Sequence, residues 1–310
     1  MLHMVKIYKR ILTFMLLFVV LLCQNIPSHA QNKGLPVNPL FARKYKMGET
    51  YRYSITMSES HGGVWAFTSV AVCELKVVSD SAGVPYDEIR WISKKNFTPK
   101  DTTDVTSQAL LVKPYRISLD GRGRLDMPKI DVTEMTEPIQ DFNTFFVAVS
   151  PELGHIDQLK KTGDTMVMEK PITANFANGT NMLKGEDCLN ISARLLYDDN
   201  GAVQVYTAFM PPVQPCLTYV SADMATPVVT DTLNNFQMVT PAGNNTYNVN
   251  YGREYFYITS TIQKATGKIL HAEMLNQLNL KVKVNCDNDY KNCQVEVPFA
   301  EQRVLAIKLL

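Results

Sequence analysis

The sequence predicts a mainly β protein: two related antiparallel β units, forming a curved sheet or a sandwich, joined by a short amphipathic helix. Three observations carry this. Apolar and polar residues alternate with period two along most of the chain, Asn/Asp/Gly turns separate the alternating runs, and turns of one kind recur in one order. One-sided alternation marks antiparallel sheets with one face packed and the other wet.

Composition narrows the class first. The chain has 310 residues, 31 Lys+Arg against 30 Asp+Glu, and 45% hydrophobic residues. That is too apolar and too balanced in charge for a disordered chain. A formal net charge of +1 provides no field to gather nucleic acid or anionic membrane.

Residues 1–30 read as a secretory signal peptide. Lys6, Lys9 and Arg10 precede the apolar run Ile11–Leu22, and Ser28-His29-Ala30 forms a small-x-small cleavage pattern. The run is too short to span a bilayer, which takes about 20 residues. Cys23 sits where a lipoprotein would be acylated, but Leu22 before it breaks that pattern, so cleavage after Ala30 is the preferred expectation. Removing residues 1–30 takes away three basic and no acidic side chains, leaving 28 Lys+Arg against 30 Asp+Glu.

An extended segment, 31–45, leads into the first β repeat, 46–158. Tyr51, Tyr53, Ile55 and Met57 share one face; Phe67, Ala71, Cys73, Leu75 and Val77 share another. Ile139, Phe142, Phe145, Phe146 and Val149 instead fall at helical spacing, with Pro138 in the first turn and Pro151 past the end, predicting a helix over 136–149. The second repeat, 159–310, holds the longest alternation: Leu270, Ala272, Met274, Leu278, Leu280, Val282 and Val284, interrupted by Asn276. Residues 268–284, roughly 55 Å if straight, suit a strongly curved sheet wrapping a helix or an apolar cavity.

The turns line up as a duplication. Lys46-Met47-Gly48-Glu49-Thr50 matches Lys161-Thr162-Gly163-Asp164-Thr165; the Asp-x-x-Gly turns ending at Gly83 and Gly201 match; Gly123-Arg124-Leu125 matches Gly267-Lys268-Ile269. The offset rises along the series, which places an insertion in the second copy near 211–246.

The cysteines suit an oxidising compartment. Cys286 and Cys293 flank a hairpin tip and form the first expected disulfide; Cys188 with Cys216 is the second, leaving Cys73 as a buried thiol. Zinc would need CxxC or nearby His pairs, which are missing. No HExxH helix and no G-x-S-x-G elbow occur, and Asp287-Asn288-Asp289 departs from the EF-hand pattern. No catalytic, metal-binding or cofactor-binding residue is therefore assigned. Tyr51, Tyr53, Trp65, Trp91, Tyr255 and Tyr257 are candidate ligand-lining aromatics, with ordinary strand packing as the competing explanation.

The signal ending in Ala30-Gln31, the paired Gly-acid-Thr openings and the Gly267-Lys268-Ile269 hairpin resemble exported all-β envelope proteins of Gram-negative bacteria. That resemblance implies export to periplasm, cell surface or medium, and brings no site residues. The curved sheet is more distantly similar to periplasmic lipoprotein carriers. The expected function is a non-enzymatic binding or structural role in the bacterial envelope, with an apolar ligand, a lipid or another envelope protein as partner. The alternative is a secreted hydrolase acting on glycans through carboxylates no motif identifies. An outer-membrane barrel fits less well, because the first copy's strands are short and uneven.

Overall fold

The computed structural model describes residues 34–125, 130–151, 158–167, 181–184, 190–210, 218–221 and 236–310. The signal segment with Cys23, the cysteines Cys188 and Cys216, His155 and most of the 211–246 insertion lie outside the described residues.

Alternation becomes strand where expected. The first half forms β1 (Thr50–His61), β2 (Val64–Ser79), β3 (Pro85–Phe97), β4 (Thr102–Asp104) and β5 (Tyr115–Ile117), with one helical turn, α1 (Thr106–Ala109), between the last two. Then come α2 (Thr136–Val147), β6 (Thr165–Val167), β7 (Asn181–Lys184), β8 (Asn190–Asp198) and β9 (Ala202–Met210). β10 (Thr218–Ser221), β11 (Phe236–Gly243), β12 (Thr246–Gln263), β13 (Ile269–Cys286) and β14 (Val295–Leu309) complete the chain. The predicted helix ends two residues early, at Val147, with Ala148 as its C-cap.

Twelve strands join one open, curved sheet in the order β4-β3-β2-β1-β14-β13-β12-β9-β8-β6, with β5 also on β3 and β11 also on β12. β7 and β10 pair separately. The two halves therefore share a sheet, because β14 pairs with β13 on one side and with β1 on the other. This settles the choice left open by the sequence: the inner face packs on a helix, and the sandwich alternative falls.

The three turn pairs make like hydrogen bonds. Gly48 N–H donates to the Val77 carbonyl (3.0 Å) as Gly163 N–H does to Leu195 (2.8 Å), and Val77 N–H returns to Glu49 (2.8 Å) as Leu195 N–H does to Asp164 (2.9 Å). Asp80 Oδ1 accepts from Ala82 and Val84 N–H; Asp199 Oδ1 accepts from Gly201 and Ala202 N–H, in a turn one residue tighter. Ser118 N–H reaches the Arg124 carbonyl and Gln263 N–H that of Lys268, each at 2.9 Å.

One core lies between the sheet and α2. Tyr53, Ile55, Cys73, Leu75, Ile89, Trp91, Leu195, Val205, Ile258, Ala272, Leu305 and Ile307 supply the sheet side, and Ile139, Phe142, Phe145 and Phe146 the helix side. Phe142 packs edge-on against Tyr53 (5.7 Å) and Trp91 (5.8 Å), and lies 4.9 Å from Phe146. Burying each such ring contributes about 2–3 kcal/mol. The Tyr53 hydroxyl keeps its hydrogen bond by donating to the Ile269 carbonyl at 2.7 Å. Beside Ile55, Met57, Ser69, Pro138 and Asp141 a gap of about 10 Å³ remains, room for one water. In this region α2 fills the space that a sheet folded around a ligand would leave open. The apolar inner face and charged outer positions such as Arg52, Glu74 and Arg90 invert the pattern of a water-filled membrane barrel.

Candidate functional site

Residues of one strand face alternate, so the inward row of β1 continues beyond Tyr53, Ile55 and Met57 to Glu59 and His61. On the neighbouring β14, the row Ile307–Leu305 continues to Arg303 and Glu301. The register sets Glu59 opposite Arg303 and His61 opposite Glu301. On β13, Asn276 pairs with Arg303, and on β12 Glu254 lies beside it. From α2 comes Asp141, buried within the helix's apolar stripe. Apolar neighbours share the face: Phe67 opposite Glu59, Leu278 opposite Glu301, and Phe256 stacked on Phe209 at 4.8 Å.

The charges converge on one guanidinium. Arg303 Nη2 donates to Asp141 Oδ2 at 2.5 Å, and its Nε lies 3.9 Å from both Glu59 Oε2 and Glu301 Oε1. His61 Nε2 is 2.5 Å from Glu59 Oε1, and its ring tilts against Phe299 at 5.4 Å. Asn276 donates to Glu254 Oε1 at 2.8 Å. Glu59, Asp141, Glu254, Asn276 and Arg303 are all largely shielded from water, where ionised groups are costly unless paired.

Burial leaves its mark on proton affinity. Burial pushes the Asp141 carboxyl up to about 6 despite Arg303. Glu301 rises to about 7, through burial and then the charge of Glu59. Glu254 is raised by burial, with the Asn276 amide opposing. Carboxyls shifted this way in one place are a recognised sign of a functional site, though structural networks produce them too.

A second buried cluster has its charges matched. Arg43 reaches Asp87 Oδ1 (3.4 Å) and Glu49 Oε2 (3.7 Å), and Lys268 holds Glu49 Oε1 at 2.6 Å. Both cations lie over the Tyr51 ring, Lys268 at 4.2 Å and Arg43 at 5.3 Å. Arg43 also donates to the Thr266 carbonyl at 3.2 Å, so the segment before β1 is tied to the β12–β13 turn. Two cations answer two anions, and this cluster works as a clamp.

The structure does not bring the six candidate aromatics together. Tyr53 and Trp91 are in the core, and Tyr51 belongs to the Arg43 clamp. Trp65, exposed, donates to Thr68 at 3.1 Å near the β1–β2 turn. Tyr255 and Tyr257 occupy the other face of β12 from Phe256, with Tyr257 stacked on Tyr206 at 6.2 Å. The Cys286–Cys293 disulfide is present at the expected hairpin tip, and Cys73 is a buried free thiol. Asp287 accepts from Lys291 N–H and Asn292 Nδ2, closing that loop as a turn.

The charged end of the inner face was not assigned from the sequence. Its signal was there: Asn276 breaks the longest alternating run, Asp141 breaks the helical stripe, and Glu59 and Arg303 extend apolar rows. These breaks coincide only once the strand register is known.

No family model and no curated protein matches the chain. Among solved structures it is similar to a DUF1329 family protein from Desulfovibrio piger, at 10% identity, covering 84% of each chain, with a TM-score of 0.21. A mutant of the Rh. blastica porin has 8% identity over 85% of this chain and 100% of the porin, with a TM-score of 0.18. The Pseudomonas aeruginosa MucA/MucB complex has 8% identity over 84% of this chain and 89% of that one, with a TM-score of 0.14. Scores this low carry no argument, so a functional reading rests on the geometry. Among the described residues no helix is long and apolar enough to cross a membrane.

Proposed function

We propose that this is an exported binding protein of the bacterial envelope, whose ligand contact is the charged end of the inner sheet face. One observation carries the reading: Glu59, Asp141 and Glu301 gather around the single guanidinium of Arg303 beside an apolar wall. A fold gains little stability from such a buried, acid-rich cluster, since apolar residues of similar volume serve as well or better. The excess of carboxylates suits a ligand that brings positive charge. The signal-like N-terminus and the Cys286–Cys293 bridge support export, because such bridges persist in oxidising compartments. The matched turn bonds support a duplicated unit, 46–158 and 159–310.

The expected apolar cargo fits less well than the sequence suggested, because α2 occupies much of the inner face. A second reading, a glycan hydrolase, draws on Asp141 and Glu301, two carboxyls raised to about 6 and about 7. Mass spectrometry of protein purified natively from its host separates the readings. A retained molecule or ion with positive charge, lost from a Glu59→Gln/Glu301→Gln variant, is the expected result. A ligand-free protein that cleaves glycans, with activity lost in Glu301→Gln, would reverse the order.

A further inference from the structure

We infer that Glu59, His61 and Glu301 form a binding site for a divalent transition-metal ion. The inference rests on reading the charged inner face as the binding site, and names the cation it takes.

The backbone builds the ligand set. His61 and Glu301 face each other across the β1–β14 pair, and Glu59 is two residues before His61 on the same face. One ligand atom from each of the three lies within 4.8 Å of the other two. Small side-chain movements bring such a set to the metal–ligand distances of about 2.0–2.2 Å.

Carboxylates outnumber the cations in direct contact with them. Glu59, Asp141 and Glu301 each lie within ion-pair distance of Arg303, so three carboxylates share one guanidinium. Lys94, whose ammonium donates to the Glu134 carbonyl, also acts on Asp141, and Glu137 adds a further carboxylate near the group. A doubly charged ion offsets that excess of carboxylate more fully than a monovalent one. Among the described residues, the Glu301 carboxylate accepts no side-chain or backbone hydrogen bond, and Arg303 stands 3.9 Å from it. Its lone pairs are free to ligate.

The donor types select the ion. One imidazole and two carboxylates suit zinc, manganese or ferrous iron, while calcium and magnesium prefer oxygen alone. Three protein ligands leave a coordination position for water or a ligand's donor group.

The test is titration calorimetry with Zn²⁺ on the oxidised, EDTA-treated chain, with Ca²⁺ and Mg²⁺ in parallel. One Zn²⁺ per chain is expected, bound more tightly than either alkaline-earth ion. Glu301→Gln and His61→Ala should each weaken it by about tenfold or more, since even supporting groups around metals are worth that much. His271→Ala, at the exposed His271–Glu273 pair on the outer face, should leave binding unchanged. Glu301→Gln is nearly isosteric and keeps the test valid if His61→Ala fails to fold. Zn²⁺ binding that survives both variants, or a folded wild-type chain that takes up none, overturns the inference. In that second case an organic cation recovered from native protein would still uphold the broader reading of the site.

Discussion

Asp141 of α2 and Arg303 of β14, 162 positions apart, meet at 2.5 Å where the apolar core gives way to charge. The pair fixes the helix to the middle of the sheet, and it does so with a carboxyl whose surroundings favour the protonated form.

The pH dependence of stability follows from that preference. Asp141 binds its proton more tightly in the folded protein (about 6) than at its ordinary value of 3.8. Its stabilising contribution is complete below about pH 3.8, declines as pH rises through 6, and is absent above. Asp141→Asn lacks this slope. Urea midpoints should show the variant gaining on wild type by on the order of 1–3 kcal/mol between pH 4 and 7.5. A difference that stays flat with pH would refute the assignment.

Phe142 is fully buried and touches Tyr53, Trp91 and Phe146. Phe142→Ala should cost about 3–5 kcal/mol, read as a drop in the denaturation midpoint with little change in slope. A smaller loss, under about 1 kcal/mol, would mean that α2 is not seated as described.

The Arg43 clamp gives a different signature. Arg43→Ala leaves Asp87, which is 1% exposed, without its main counter-charge, and should destabilise by about 3–5 kcal/mol. Restoring part of the loss with Asp87→Asn in the same chain would show that the cost is the orphaned charge. Independent, additive effects would contradict the pairing.

The disulfide closes a short loop, with a sequence separation of 7. Loop-closure entropy then gives about 2–3 kcal/mol. Cys286→Ser/Cys293→Ser should lose roughly that amount. The loss should be local, leaving hydrogen-exchange protection of α2 intact, because the bridge belongs to a separate small cluster of Val239, Val249, Tyr251 and Tyr290.

Gly267 has φ +68°, and a Cβ there would lie 2.1 Å from the Ala42 carbonyl oxygen. Gly267→Ala must shift backbone on both sides of the contact. A thermal-melt decrease larger than that of Gly163→Ala, where φ is +92° but space is open, is expected.

Strand identity was legible because alternation is local: the even-numbered run from Ala272 to Leu280 is buried as a row. The helix was legible for the same reason. The pairing of β14 with β1 was not, because it joins residues such as Tyr53 and Leu309 that no local pattern connects. The site was hidden for that reason. Glu59, Asp141, Asn276 and Arg303 each read singly as a polar exception, and only long-range register makes them neighbours. The aromatics failed as a guide because strand packing recruits the same residues.

β14 lies between β1 and β13, so the first strand waits for the last. Until β14 is in place, β1 has one edge unmet and the sheet is not continuous from β4 to β6. The sheet is thus completed by its most sequence-distant pair of strands, and a chain lacking β14 would leave both β1 and β13 with an unpaired edge.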